Sequence, residues 1–317
     1  MTSKRFFFTC LGSTLLAASL FVAINIYMND YGLFGDVRGK LIPVYTNERT
    51  SKYLFSYNYI PSNFEGLILG SSVSNNLNVK DFKQYQIYNG SLSGANYTEL
   101  RLIAENVMTH GNLKFIILCI YPYSARSHGR RSSFMTPHEY WESLGSQATF
   151  DLYRNKILIL LGIKELKRDE YGFHDSNTDK IIDSRRQISE VAYAYKKNGY
   201  NTFIDDMAYQ DLAKIITLAR TKDVRIIAYF HPHPYEIYAA QKDNFNDFRD
   251  KISLLFVERD IVLDFNSDQF LSFTKDYINF VDHTHLSPKG AQYVLREIIK
   301  KFDEHTRFKS GQRRLNK

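Results

Sequence analysis

The longest apolar stretch of the chain lies near its N-terminus, where residues Phe6–Met28 include no charged side chain. A helix of this length, rising about 1.5 Å per residue, would cross a hydrocarbon core of roughly 30 Å. Lys4 and Arg5 precede the stretch and Asp30 follows it, so the positive-inside rule predicts a cytoplasmic N-terminus and an external remainder. Small residues at 17–19 leave a cleaved signal peptide as the alternative. Both hypotheses export the folded part.

Further along, short apolar runs alternate with stretches whose apolar residues recur at helical spacing. Such strand–helix alternation predicts a parallel sheet with helices on both faces, an α/β fold of the flavodoxin-like three-layer kind. The predicted strands are Gly66–Gly70, Gln86–Asn89, Lys114–Tyr121, Val224–Phe230 and Ile261–Asp264, and the predicted helices are Tyr97–Met108, 205–222, 235–258 and Pro288–Glu304.

The pattern divides the chain into a membrane anchor (1–28), a linker of mixed polarity (29–62), an α/β domain (63–306) and a basic tail (307–317). The alternation breaks down inside the domain, over about 123–201, where the sequence is polar and rich in Tyr and Arg. This stretch follows the predicted strand Lys114–Tyr121, and insertions at the carboxyl end of a strand lie over the active site of open α/β sheets. We therefore predict a substrate-binding insertion.

Composition and charge exclude some function classes. The net charge of +7 on 317 residues is spread along the chain, with concentrations at 128–131 and in the tail. Basic residues are not interleaved with aromatic ones as in nucleic-acid-binding proteins, so no nucleic-acid partner is predicted. The only two cysteines, Cys10 and Cys119, both lie in apolar runs, and no disulfide framework is expected.

The first candidate for chemistry is Ser72, at the end of the segment Leu69-Gly70-Ser71-Ser72. A serine just past a strand, after a glycine that permits a tight turn, presents its hydroxyl at the rim of the sheet. The alternative is an ordinary N-cap serine.

A second candidate is the loop Asn89–Asn96, in which Gly90 and Gly94 flank short polar residues. Backbone N–H groups in such a loop can point at a developing oxyanion. The alternative is a plain strand-to-helix turn.

The third candidate is the block Asp282-His283-Thr284-His285, just before the last helix. Within one turn, Asp282 can accept a hydrogen bond from one imidazole nitrogen of His285 while the other faces a serine, as in a Ser-His-Asp triad. The alternative is a capping Asp beside a surface His.

Taken together, the three blocks resemble the SGNH (GDSL-type) hydrolase superfamily, over about residues 64–125 and 222–300. The Gly70-Ser71-Ser72 segment matches the nucleophile block with Ser71 in place of the usual Asp, 89–94 matches the oxyanion block, and 282–286 matches the Asp-x-x-His block. The family's Gly-x-Asn-Asp block is missing, because Tyr121-Pro122-Tyr123-Ser124 follows the third strand.

The resemblance implies a cofactor-free serine esterase or O-acyltransferase, with Ser72 as nucleophile, His285 as base and Asp282 as orienting acid. The backbone of Ser72 and Gly94 would form the oxyanion hole, with Asn89 or Asn96 in place of the missing asparagine. The envelope subgroup that resembles alginate acetyltransferases and teichoic-acid D-alanylation proteins also carries one N-terminal membrane helix. It implies a cell-surface polysaccharide substrate and a membrane-bound acyltransferase partner.

Two alternatives stay open. The pairs His231-Pro232-His233 and His283-Thr284-His285 both follow strands, and four histidines can bind zinc. We expect instead that His231, His233 and Tyr121 line the substrate cleft and that no metal is bound. The second alternative is a non-catalytic accessory protein that binds polysaccharide or a membrane acyltransferase.

Overall fold

The computed structural model of the protein describes residues 3–39, 44–45, 47–82, 84–126, 135–165, 168–174 and 184–315. Its centre is a parallel sheet of five strands in the order β2-β1-β3-β4-β5. This order is that of flavodoxin-like folds and confirms the predicted α/β class. The strands are β1 Gly66–Leu69, β2 Ile87–Asn89, β3 Phe115–Ile120, β4 Arg225–Phe230 and β5 Ile261–Asp264.

The central strands are apolar because helices cover both faces of the sheet. Every residue of β3 is buried, and its side chains alternate between two apolar clusters. Ile116 and Leu118 face the cluster that holds Ile103 and Ile215, whereas Ile117 and Cys119 face the opposite cluster. Helices α4 Tyr97–His110 and α8 Asp206–Thr221 belong to the first face, and α12 Pro288–Leu315 belongs to the second.

Two helices differ from their predicted bounds. The stretch predicted as one helix over 235–258 is broken at Gln241, whose φ of −141° and ψ of 33° lie outside the helical region, into α9 Tyr235–Ala240 and α10 Lys242–Ser253. After the short helix α11 Leu271–Lys275, helix α12 continues to Leu315 and includes most of the predicted basic tail, since Lys and Arg are good helix formers.

Residues 29–62, predicted as a linker, are part of the folded domain where they are described. Asn47 caps helix α2 Glu48–Phe55 by accepting from Arg49 N and Thr50 N, and α3 Tyr59–Asn63 follows. Phe55 and Ile60 are fully buried in the core. The two helices were not predicted because they have only eight and five residues, which is too short for apolar residues to show a helical period.

The insertion leaves the sheet at the carboxyl end of β3, as predicted. It contributes α5 Pro137–Glu142, α6 Gln147–Leu160 and α7 Ser184–Asn198, while the basic cluster at 128–131 lies outside the described residues. The segment 168–174 lies beside the loops after β1 and β2, because Tyr171 O accepts from Asn89 N (2.7 Å) and His174 N donates to Asn75 O (3.2 Å).

The N-terminal helix α1 Ser3–Met28 contributes little to the core of this domain. It is long and apolar enough to cross a membrane. Most of its side chains are exposed, and the buried exception among its described side chains is Asn25 near the carboxyl end.

Gly290 in the first turn of α12 packs closely against the chain before the predicted triad. A Cβ atom there would overlap the Asn279 carbonyl and lie 3.1 Å from its Cα atom. We expect Gly290→Ala to lower the free energy of unfolding by about 1–3 kcal/mol, as overpacking usually does. The measurement is urea unfolding of the detergent-solubilised full chain, with Lys289→Ala as the exposed control; equal midpoints for the two variants would contradict this packing.

Candidate active site

The carboxyl edge of the sheet brings together three side chains from distant parts of the sequence. Ser72 Oγ lies 3.1 Å from His285 Nε2, and His285 Nδ1 lies 2.8 Å from Asp282 Oδ2. An ionised carboxylate only accepts hydrogen bonds, so Nδ1 carries the proton and Nε2 is left to accept from the serine hydroxyl. Ser72 is half-buried and the His285 side chain retains about a quarter of its exposure. We call this hydrogen-bonded chain of Ser72, His285 and Asp282 the relay, and two of its three side chains can be reached from solvent.

Asp282 is held ionised by the turn that it organises. Its Oδ1 accepts from the backbone N–H groups of Thr284 (2.7 Å) and His285 (2.6 Å). Burial by itself would raise the pKa of Asp282, but the hydrogen bonds from His285 and Thr284 and the electrostatic attraction between the carboxylate and the His285 ring outweigh it and hold the pKa well below its usual range. The carboxylate therefore stays charged and orients His285.

His231, predicted to line the substrate cleft, lies behind the Asp282–His285 turn. It is 1% exposed, and its Nε2 lies 2.8 Å from Thr284 O. A carbonyl can only accept, so Nε2 carries the proton. Burial lowers the pKa of His231 to about 4, and the ring is neutral at physiological pH. Its observed contact braces the backbone between Asp282 and His285.

His233 and Tyr121, the other residues predicted for the cleft, pack together in a buried aromatic group. The rings of His233 and Phe245 are 4.3 Å apart, and those of Tyr121 and His233 are 5.7 Å apart. The Asn266 side chain fixes this segment by accepting from His233 N and donating to the His231 carbonyl. Tyr121 and His233 are thus mostly shielded from solvent.

Ser72 is presented by a tight turn. It begins a 3-10 helix, Ser72–Ser74, directly after β1, and the first N–H groups of a helix have no intrahelical partner. A Cβ atom at Gly70 would lie 2.6 Å from that of Cys119 and overlap Ser74 Oγ. Only glycine lets β1 and the serine turn approach β3 this closely.

The loop after β2 is tied to the serine turn by Asn89. Its Nδ2 donates to the carbonyls of Ser74 (2.8 Å), Asn75 (3.3 Å) and Leu77 (3.3 Å), and its Oδ1 accepts from Ser91 N. The side chain is fully buried. Its amide hydrogens are directed at backbone carbonyls, so the prediction that Asn89 replaces the missing oxyanion donor finds no support in these contacts.

Asn96, the other proposed replacement, caps helix α4. Its side chain accepts from Glu99 N, and Glu99 Oε2 accepts from Asn96 N, which is a capping box. Gly94 has a φ of 63°, in the left-handed region that glycine adopts at little cost. The role of its N–H in an oxyanion hole stays a prediction.

Lys52 of α2 holds the loop beside the candidate site, and the sequence analysis missed it. Its side chain is completely buried, and Nζ donates to the carbonyls of Asn89 (2.9 Å), Ser91 (2.6 Å) and Gly172 (3.2 Å). Burial lowers its pKa to about 7, and the nearby charge of Arg168 acts in the same direction. The lysine joins the loop after β2 to the insertion.

Two neighbours of Lys52 hold the other half of the same loop. Glu48 Oε2 accepts from Ser93 N (3.1 Å), and Arg49 donates to Ser93 O (2.8 Å) and to Glu99 (2.6 Å). Helix α2 therefore holds the loop before Gly94 through three charged side chains. The signal that could have predicted this helix is Asn47, a favoured N-cap residue, followed by the acidic Glu48 in the first turn.

The two His-x-His pairs do not form a metal-binding cluster. Among the described residues, no group of three or more His, Cys, Asp or Glu side chains is placed to hold a metal ion. The rings of His231 and His233 are 6.1 Å apart and nearly perpendicular, and His285 is engaged by Asp282 and Ser72. This arrangement gives the zinc hypothesis no support.

We expect the neutral state of His231 to make folding sensitive to acid. Between pH 6.5 and 4 the unfolded chain takes up a proton that the folded protein does not, so stability contributed by the neutral ring is complete above pH 6.5 and falls as the pH drops towards 4. At 1.36 kcal/mol per pKa unit the loss is up to roughly 3 kcal/mol. His231→Gln cannot titrate, and its urea midpoint should change less between pH 7.5 and pH 4.5 than that of the unmodified protein; equal changes would contradict this assignment.

Removing the Lys52 ammonium should damage the loop that it holds. Lys52→Met leaves three buried carbonyls without this donor, and an unsatisfied buried group costs about 1–3 kcal/mol. Because the buried charge is removed at the same time, we expect a net loss of about 2 kcal/mol in urea unfolding and slower reaction of Ser72 with a phosphonate probe. Lys80→Met, at a half-exposed ion pair with Asp169, is the control and should change neither; a Lys52→Met protein indistinguishable from it would refute the role.

No family model matches the sequence, and no curated protein matches it significantly. Solved structures with a similar fold include a Streptococcus pneumoniae protein assigned as a platelet activating factor (13% identity, TM-score 0.44, covering 80% of this chain and 90% of that one). A GDSL-like lipase from Bacteroides thetaiotaomicron is similar at 11% identity and a TM-score of 0.41, covering 76% of this chain and 88% of that one. A lipase from the goat rumen metagenome is similar at 9% identity and a TM-score of 0.38, covering 77% and 97%.

Proposed function

We propose that the protein is a serine-dependent esterase or O-acyltransferase that acts on acyl groups of a cell-envelope polysaccharide. The observation that carries this proposal is the continuous relay from Ser72 Oγ through His285 to Asp282, with distances of 3.1 and 2.8 Å. A serine activated by a neighbouring base and an orienting acid is the arrangement for nucleophilic acyl transfer.

The reaction begins when Ser72 Oγ attacks the acyl carbonyl and His285 Nε2 takes the serine proton. Collapse of the tetrahedral intermediate breaks the bond to the leaving alcohol, which receives that proton from His285, and leaves the acyl group on Ser72. Water or a sugar hydroxyl then attacks the acyl-enzyme, and His285 again moves the proton. The Ser72 and Gly94 N–H groups are the proposed oxyanion donors.

The envelope location rests on α1. On the proposed topology, its basic N-terminus stays in the cytoplasm and the α/β domain lies outside the cytoplasmic membrane. A membrane-bound acyltransferase is the proposed source of the acyl group if transfer is the reaction.

A groove formed by residues that follow β4 and β5 is the candidate binding site for a glycan substrate. This cavity of about 350 Å³ is lined by aromatic and polar side chains, and His233, which was predicted for the substrate cleft, contributes to the lining. Tyrosine rings provide apolar faces with a polar tip, and amide and charged side chains suit hydroxyl groups. The lining side chains include Tyr235, Tyr238, Lys242, Asn246 and Asp268.

Covalent labelling of the full-length protein by a serine-reactive phosphonate tests the catalytic proposal. We expect labelling at Ser72, its abolition in Ser72→Ala, and a loss of at least about 100-fold in rate in His285→Ala, as general bases contribute about 10²–10⁴-fold. Mass spectrometry of the labelled peptide identifies the serine.

Ser71→Ala is the matched control. The Ser71 hydroxyl is buried, and among the described residues it has no hydrogen-bond partner, so its removal should cost little and leave labelling unchanged. Absence of labelling at Ser72, with polysaccharide binding retained, would instead identify a non-catalytic binding protein.

A further inference from the structure

Helix α6 of the insertion is apolar on two opposite sides. Leu152 and Ile159 pack against the core, whereas Phe150 and Ile157 are 64% and 56% exposed. At 100° per residue, Phe150 and Ile157 share the face opposite Leu152 and Ile159. The side of α6 that carries Phe150 and Ile157 is therefore apolar although it lies outside the core.

The exposed apolar residues continue beyond this helix. They belong to α5, α6 and the turn that follows α6, and we call them the α5–α6 surface. Monomeric soluble proteins rarely expose many large apolar side chains together, and such groups mark interaction sites. The surface comprises Trp141, Phe150, Ile157, Leu160, Leu161 and Ile163.

The same part of the insertion is fastened to the carboxyl end of α1. Asn25 Nδ2 donates to Leu144 O (2.6 Å), and Asn25 Oδ1 accepts from the Tyr153 hydroxyl. Lys156 of α6 forms an ion pair with Asp30, just beyond α1. These contacts satisfy the one buried polar side chain described in the apolar helix, since an unpaired amide in hydrocarbon is costly.

The contacts also fix the level along α1 at which the turn between α5 and α6 lies. Gly145 lies beside Phe21, because a Cβ atom built on Gly145 would be 3.4 Å from the Phe21 ring. At 1.5 Å per residue, Phe21 lies about 10 Å along α1 from Met28. If α1 spans the bilayer, the turn between α5 and α6 reaches the boundary between headgroups and acyl chains, where interfacial helices bury their apolar faces by about 5–10 Å.

We infer that α5 and α6 lie in the outer leaflet of the membrane that α1 crosses, with the α5–α6 surface in contact with lipid. The inference rests on the proposed anchoring by α1. Lipid is the occupant that this depth implies, because it surrounds α1 at this level whether or not a partner protein is present. The side chains fit an interface, since Trp is enriched there and the exposed Arg154 can extend its guanidinium to the headgroups.

The test uses the protein's only tryptophan, Trp141. Full-length protein is reconstituted in phosphatidylcholine vesicles with or without lipids brominated near the headgroup. We expect brominated lipid to reduce Trp141 emission by about half, and aqueous iodide to reduce it little, because an interfacial ring contacts lipid rather than water. A Trp141 emission quenched by iodide and unaffected by brominated lipid would overturn the inference.

A matched reporter checks the method. In the double variant Trp141→Phe, Leu254→Trp, the tryptophan is moved to the exposed end of α10, where Leu254 is 79% exposed. Its emission should respond to iodide and not to brominated lipid.

Retention of the protein on vesicles after an alkaline wash measures the anchoring separately. If the protein stays on the vesicles while iodide quenches Trp141, the α5–α6 surface does not contact lipid, although α1 anchors the protein. Loss of the protein in the wash would refute the anchoring, and the inference with it. Protection of Trp141 in native membranes but not in pure lipid would show that a protein covers the surface and would also overturn the inference.

Discussion

The hydrogen bond between Ser72 Oγ and His285 Nε2 joins residues 213 positions apart. A parallel sheet makes this contact possible, because it directs the carboxyl end of every strand to the same edge. The serine turn follows β1, which is flanked by β2 and β3, and ligands of open α/β sheets bind at such a switch in strand order. The Asp282–His285 turn reaches the edge from the other side, since α12 packs on the sheet directly after it.

Buried polar contacts then hold each partner of this bond. Asn89 joins the loop after β2 to the serine turn, and His231 donates a hydrogen bond to the carbonyl of Thr284. Lys52 donates to the carbonyl of Asn89, at the start of the loop after β2. Most of these contacts end on backbone carbonyls, which are fixed in position by the strands and helices around them. Ser72 and the His285 side chain are left partly exposed.

The sequence predicted those features whose signal is local. The strands were predictable as apolar runs, and Asp282 and His285 as a pair within one turn; Ser72 followed from its place after a strand. The structure brings these three together. By contrast, the roles of Lys52 and His231 depend on carbonyls that belong to other parts of the chain, and nothing near either residue in the sequence reveals those partners. Asn89 was selected for its side-chain chemistry, but the structure uses that chemistry to hold the backbone.

The carbonyls around Lys52 also constrain the order in which the domain can be completed. The last of them, at Gly172, comes 120 positions after the lysine. If the chain crosses the membrane behind α1, helix α2 emerges early, and its ammonium group remains in water until half of the insertion has followed. The loop that precedes Gly94 therefore cannot reach its final shape before Gly172 has emerged, and the contact between Ser72 and His285 can form only later still.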